Sequence, residues 1–162
     1  MDSFRFLDNS LDNLINTQVP RNLEGAFPIV TEFHPWSDQL PLILQKIPFP
    51  YRALSAPPET WSSTPGVLER DFYDNDLRRS KCSEEEHAKI QQLAEDLGLT
   101  SFMAYHCCYL WTDVLALADV CEKFSADWLS EYGLEPFHSL TLPAASYTAM
   151  LRTVTRMEVW LL

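Results

Sequence analysis

Tyr109 and Asp113 are the residues of this chain whose types and spacing lend themselves most directly to chemistry. They stand four apart within residues 105–119, a run of mostly apolar side chains. A phenol and a carboxylate therefore share one helical face, with Tyr105 one turn ahead of them. A carboxylate in an apolar segment is costly unless it is paired, hydrated or bound to a metal. The same residues also suit a core helix whose one boundary aspartate faces water. Lys46 is the second candidate. It follows Leu42-Ile43-Leu44 and precedes Ile47-Pro48-Phe49-Pro50-Tyr51, whose prolines hold it in a defined direction. Its ammonium would meet a phosphate or orient a catalytic carboxylate. A lysine snorkelling beside a hydrophobic strand fits those neighbours as well. The histidines offer less: His34 reads as a surface or boundary residue, His87 as exposed, and His106 as a hydrogen-bonded helix residue.

A long helix must position the Tyr109–Asp113 pair. Thr100 can cap it, and it runs to about Tyr132 and stops at Gly133. Leu110, Val114, Leu117, Cys121, Phe124 and Trp128 step by four, three, four, three and four, and are read as its buried stripe. Asp119, six residues past Asp113, is expected to face solvent. The preceding helix opens on a capping box, Ser83 to Glu86, buries Ile90, Leu93, Ala94 and Leu97, and ends at Gly98. Its three leading glutamates mark a helix start rather than a metal site. The two helices are expected to pack together. Upstream, Asn9 or Ser10 caps a short helix carrying Leu11, Leu14 and Ile15. Residues 25–41 and 55–65 are broken by prolines into loops, and residues 74–76 read as a turn. Residues 2–7 alternate Phe4 and Phe6 with polar neighbours, as a strand end or a turn into a helix does. Residues 157–162 are apolar and read as a strand or helix whose partner lies beyond the chain.

At 162 residues, with 46% hydrophobic and 12% aromatic side chains, the chain is long enough for one real core. Its net charge of −11 argues against a free-standing DNA-binding module held by phosphate contacts. A carboxylate-lined pocket that sees DNA beside other, basic domains is compatible with it. No apolar run approaches the roughly 18 residues of a membrane span, and no basic, apolar signal sequence leads the chain. The four cysteines, Cys82, Cys107, Cys108 and Cys121, lack paired metal-ligand spacing and read as reduced thiols of an intracellular protein.

Several stretches, in order, carry a resemblance. Tyr109-Leu110-Trp111-Thr112-Asp113 fits the Tyr-x-x-x-Asp pattern of the third exonuclease motif of proofreading polymerases. The run through Asp119 resembles the corresponding helix of the protein-primed family B DNA polymerases of viruses, linear organellar plasmids and large DNA transposons. Lys46-Ile47-Pro48-Phe49 resembles that family's lysine motif, and Pro50-Tyr51 continues the match. Ser3 and Phe4 fit the family's primer-contacting pair, with Phe where Leu is usual; Ser10-Leu11-Asp12-Asn13-Leu14 fits the same loose pattern. Tyr132-Gly133-Leu134-Glu135-Pro136 and residues 141–151 resemble its passage from exonuclease to polymerase domain, with Glu135 in place of the family's aspartate.

The resemblance implies an α/β fold: a partial ribonuclease-H-like exonuclease domain over residues 1–133, mainly helical with a few short strands. Residues 134–162 would begin the passage into the polymerase domain. It implies a fragment of a DNA-directed DNA polymerase that binds DNA and nucleotides and proofreads in the 3'-5' direction. Asp113 would be a metal ligand, Tyr109 would position the attacking water, and Lys46 would support the centre. Ser3 and Phe4 would contact the DNA primer end. The parent would use Mg2+ or Mn2+, held by several carboxylates so that one ion activates water and the other steadies the leaving oxygen. The family's first and second exonuclease motifs, including Asp-x-Glu, are expected before residue 1, so the isolated chain is expected to be inactive. An element carried on a chromosome would make the compartment nuclear. A small acidic helical interaction protein, or a decayed relic without activity, is the competing reading.

Overall fold

The helix that carries Tyr109 and Asp113 spans Phe102–Tyr132. Its 31 residues extend about 46 Å at 1.5 Å per residue. Its start accounts for every early amide. The Phe102 N–H donates to Thr64 O (2.9 Å) and the Met103 N–H to Trp61 O (3.1 Å). The Ala104 N–H donates to Ser101 Oγ (3.2 Å), and the Tyr105 N–H to Ser101 O (3.0 Å). Ser101, not Thr100, is thus the cap. At the far end Gly133 takes φ 63° and its N–H closes on Leu129 O, as a left-handed helix stop requires. Residues 61–66 reach the helix start because Gly66 lies flat against the chain there. A Cβ at Gly66 would sit 1.8 Å from Leu99 O, so no larger residue fits that approach.

A computed structural model describes residues 3–18, 23–45, 47–74 and 80–156, and every regular element among them is helical. In chain order these are α1 (Leu11–Gln18), α2 (Leu23–Ala26), α3 (Pro28–Phe33) and α4 (Leu40–Ile43). There follow α5 (Glu84–Asp96), α6 (Phe102–Tyr132) and α7 (Leu142–Arg156), with short 3-10 turns between. The expected α/β, ribonuclease-H-like sheet is absent among the described residues. Only isolated bridging such as Pro65 with Ser101 occurs. The Phe4/Phe6 alternation falls in a 3-10 turn, Ser3–Arg5, closed by Phe6 N–H to Ser3 O. So brief an extended pattern, without a partner strand, has no ladder to join. The apolar run before Lys46 is the helical turn α4, not a strand. Residues 157–162, most of the 74–76 turn, and Lys46 itself lie outside the described residues. No described helix is long and apolar enough to cross a membrane.

The capping box of α5 is formed as expected, with Ser83 Oγ accepting from Glu86 N–H and the Glu86 carboxylate accepting from Ser83 N–H. Glu86 is held below the usual carboxylate range by those Ser83 bonds. However, α6 runs along α3 and α1 more extensively than along α5, which meets it through the shared core. That core gathers Phe27, Val30, Ile43, Ile90, Phe102, Tyr105, Cys108 and Ala116, all at 2% exposure or less.

The buried stripe of α6 is Tyr105, Cys108, Thr112, Leu115, Ala116, Asp119 and Val120. It lies on the opposite side of the helix from the expected one. Leu110 and Val114 are 51% and 56% exposed, while Leu117, Cys121, Phe124 and Trp128 are half-buried. Both faces have apolar residues at helical spacing, so period alone does not choose between them.

Asp119, expected in solvent, is 3% exposed. Its two oxygens accept the N–H groups of Ile29 and Val30, each at 2.9 Å. Those are the orphan amides of α3: Pro28 at its first position has no N–H, and its N-cap, Phe27, has no capping side chain. A carboxylate from α6 therefore caps a helix 90 residues earlier in the chain. Asp119→Ala should cost about 3 kcal/mol in chemical denaturation, since two charge-assisted bonds are lost and two buried amides orphaned. Asp119→Asn, which keeps one acceptor, should cost roughly half as much.

Candidate functional site

The stretch after Lys46 folds back onto the first half of α6. Pro48 and Pro50 hold it extended enough that its backbone and rings meet α6 directly. The Tyr105 hydroxyl donates to Pro48 O at 2.5 Å. The Phe49 ring lies 4.5 Å from the ring of Tyr109 and 5.1 Å from that of Tyr51. The Tyr51 and Tyr109 hydroxyls are 3.1 Å apart. Asp113 follows one turn later, and the nearby Tyr109 phenol favours its ionised form. Tyr51 is the exposed member of this group, and Tyr109 and Asp113 are half-buried.

Electrostatics follow from that placement. Burial pushes the Asp113 carboxyl above the usual carboxylate range, and the neighbouring Tyr109 phenol pulls it part of the way back. Tyr109 is driven far above the ordinary phenol value by burial first, then by its Tyr51 and Asp113 neighbours. It therefore stays a protonated donor across the physiological range. Tyr105 does not belong to this face. A step of four residues overshoots a full turn by about 40°, so Tyr105 and Asp113 diverge by about 80°, and Tyr105 is fully buried.

The remaining expected site residues are distributed differently. Lys46 itself lies outside the described residues, but its neighbours Ile47 to Tyr51 reach the Tyr109 side of α6. Ser3 and the 63%-exposed Phe4 sit in a turn whose Phe6 ring stacks edge-on against Phe137, itself packed on Phe124. Phe124 is eleven residues beyond Asp113, about 16 Å along the helix. The fold therefore brings the Lys46 stretch, but not Ser3 and Phe4, to the Tyr109–Asp113 pair. No group of three or more His, Cys, Asp or Glu side chains stands ready for a metal among the described residues. Asp113 alone does not make a two-metal centre. A shallow cavity of about 380 Å³ lies elsewhere, between Glu69–Asp71 and the start of α5. Its Arg70–Glu84 pair, at 3.3 Å, is solvent-exposed.

The histidines depart from their sequence reading. His34 is 3% exposed. Its Nδ1 accepts the Trp36 N–H (3.1 Å) and its Nε2 meets Thr112 Oγ1 (3.1 Å). Because Nδ1 is the acceptor, the neutral ring carries its proton on Nε2. Burial lowers its pKa against the opposing pull of the Cys108 carbonyl. The Trp36 indole N–H donates to Leu97 O (2.9 Å), tying this corner to the end of α5. His87 is half-buried, with Nε2 2.8 Å from Leu68 O, rather than exposed. His106 is not hydrogen-bonded through Nδ1, which is buried without a partner; its ring lies 5.0 Å from Trp61 and 5.6 Å from Phe49. Burial pushes the Cys108 thiol up to about 11, so it serves as packing rather than as a nucleophile. Tyr51, which the sequence placed at the end of the Lys46 match without a role, meets the Tyr109 hydroxyl; the Pro48-x-Pro50 spacing aims it there.

Comparison with family models, with curated proteins and with solved structures returned no match for this chain.

Two titrations check this electrostatic picture. Tyr109→Phe removes the phenol that favours ionised Asp113, so the Asp113 carboxyl, followed by carbon-detected NMR, should titrate higher than in the parent. His34 has a folded pKa below its unfolded value near 6.5, so the unfolded chain takes up protons that the folded chain refuses. Its contribution is complete above about pH 6.5 and declines as pH falls below that. Melting temperature should therefore drop between neutral and mildly acidic pH, and His34→Gln should flatten that slope. Asp113 and Asp119, with raised values, act in the opposite direction further into acid.

Proposed function

We propose that this chain is a portion of a protein-primed family B DNA polymerase, carrying the third exonuclease motif at Tyr109–Asp113 and the start of the passage toward the polymerase domain. The observation that carries the reading is the relation between two motifs far apart in sequence. The segment that follows Lys46 lies against Tyr109, one turn from Asp113. A phenol that stays protonated one turn from a half-buried carboxylate has the chemistry to steady a water beside it. In the complete enzyme Asp113 would be one of several carboxylates around Mg2+ or Mn2+, Lys46 would support the centre, and Ser3 and Phe4 would meet the primer end at some distance. DNA and deoxynucleotides are substrates of that parent rather than ligands of this chain alone. Its acidic surface suits a piece that works beside basic domains.

A small acidic helical interaction protein is the second reading, favoured by the exposed apolar residues Leu110, Trp111 and Val114 on α6. The coding sequence on either side of this segment discriminates the two. An Asp-x-Glu motif upstream and a polymerase aspartate motif downstream in the same frame would support the polymerase. A closed frame lacking both would favour the interaction protein. In protein, residues 1–162 alone should leave a single-stranded primer intact in Mg2+. The chain joined to the upstream-encoded segment should shorten it from the 3' end. Asp113→Ala should abolish that activity, and Tyr109→Phe should lower it on the order of 10²-fold. Primer degradation by the joined protein that survives Asp113→Ala would refute the assignment.

A further inference from the structure

His34 closes the corner where the chain leaves α3, and it does so with groups from three helices. Its ring is buried and both nitrogens are engaged. Nδ1 accepts the N–H of Trp36, two residues on, and Nε2 meets Thr112 Oγ1 of α6, each at 3.1 Å. Trp36 donates its indole N–H to Leu97 O at the end of α5 (2.9 Å), and its ring lies 5.8 Å from that of His34. An amide N–H only donates, so Nδ1 must keep its lone pair for the corner to stay closed. A second proton on the ring sets N–H against N–H and leaves the Trp36 amide without an acceptor. The acids on the surrounding elements do not offset that charge. Glu32 on α3, Asp38, and Glu95 and Asp96 near the end of α5 are exposed. On α6, Asp119 is engaged by the Ile29 and Val30 amides, and Asp113 lies at the Tyr109 edge. Burial is the main influence on the ring's titration, opposed by the Cys108 carbonyl.

We propose that His34 is an acid-opened latch: a proton on Nδ1 releases the Trp36 amide and with it the indole tie to Leu97, so the corner between α3 and α4 opens while α5 and α6 stay folded. The opening is local because residues 34 and 36 make all three bonds, whereas the start of α3 is held separately by Asp119. The open ring accepts a proton near pH 6.5. Each pH unit below that favours opening up to about tenfold, until the closed ring titrates as well. The latch is independent of the polymerase reading.

Hydrogen exchange followed by NMR on the full chain, from about pH 7 to about pH 5, tests it when read as protection factors. Protection of the Trp36 amide and indole should fall by up to about tenfold per pH unit below about pH 6.5. The amides of Leu115 and Ala116, in the buried middle of α6, should keep theirs over the same range. His34→Asn does not titrate and retains an acceptor that reaches the amide two residues on, so its Trp36 protection should not vary with pH. Constant Trp36 protection in the parent would overturn the proposal. A fall in step with Leu115 and Ala116 would overturn it too, since that is global unfolding. So would an unchanged pH dependence in the folded variant. The parent alone separates the first two outcomes, whether or not His34→Asn folds.

Discussion

The carboxylate of Asp119 holds two distant parts of this protein in register. The segment that becomes α3 begins with a proline and lacks a capping side chain of its own, so its first free amides must be satisfied from elsewhere. Only an acceptor from α6 does so, and it takes both amides at once. That requirement sets the rotation of α6 about its axis. Once Asp119 faces α3, Thr112 and Cys108, about two and three turns earlier, face inward too. Thr112 then meets His34 just beyond α3. The buried polar groups of the α3–α6 seam thus form one consistent set, and the apolar core fills around it.

The same rotation decides the fate of the other residues on α6. Tyr105 turns fully into the core and binds Pro48 O, which brings the Pro48–Tyr51 stretch onto the helix. Tyr109 is left at the margin, where one side of its ring can stack on Phe49 while its hydroxyl lies between Tyr51 and Asp113. Asp113, 40° further round per turn of four residues, reaches the edge without leaving the protein. A half-buried carboxylate beside a phenol is therefore a by-product of how α6 is anchored at Asp119, six residues away.

The anchoring also has a cost. A helix 31 residues long with apolar residues on two opposite sides can bury only one of them in a core this size. The side turned outward keeps Leu110 and Val114 in water, and an exposed apolar row of that kind marks a surface made for contact. At its far end the helix is better covered, since Phe137 and Phe6 close over Phe124 and Arg152 donates to Gly133 O. Of the exposed large apolar residues of α6, Leu110, Trp111 and Val114 lie in the half that also carries Tyr109 and Asp113, and Leu129 lies near its end.

The sequence by itself determined what depends on near neighbours. The Ser83–Glu86 capping box, the stop at Gly133, the short helix after Ser10, and the helical spacing of Tyr109 and Asp113 are all set within a few residues. The relevant donors, acceptors and φ preferences are local, so they are legible without a fold. Tertiary structure alone decided which face of α6 is dry. Two apolar rows satisfy the same periodicity, and the choice was made by α3's unsatisfied amides 90 residues away. It likewise placed His34 in the interior, joined Tyr51 to Tyr109, and separated Ser3 from Asp113. It also overruled the expectation of a sheet. Strands exist only by pairing, and a pattern such as Phe4 and Phe6 carries no information about whether a partner is there to pair with.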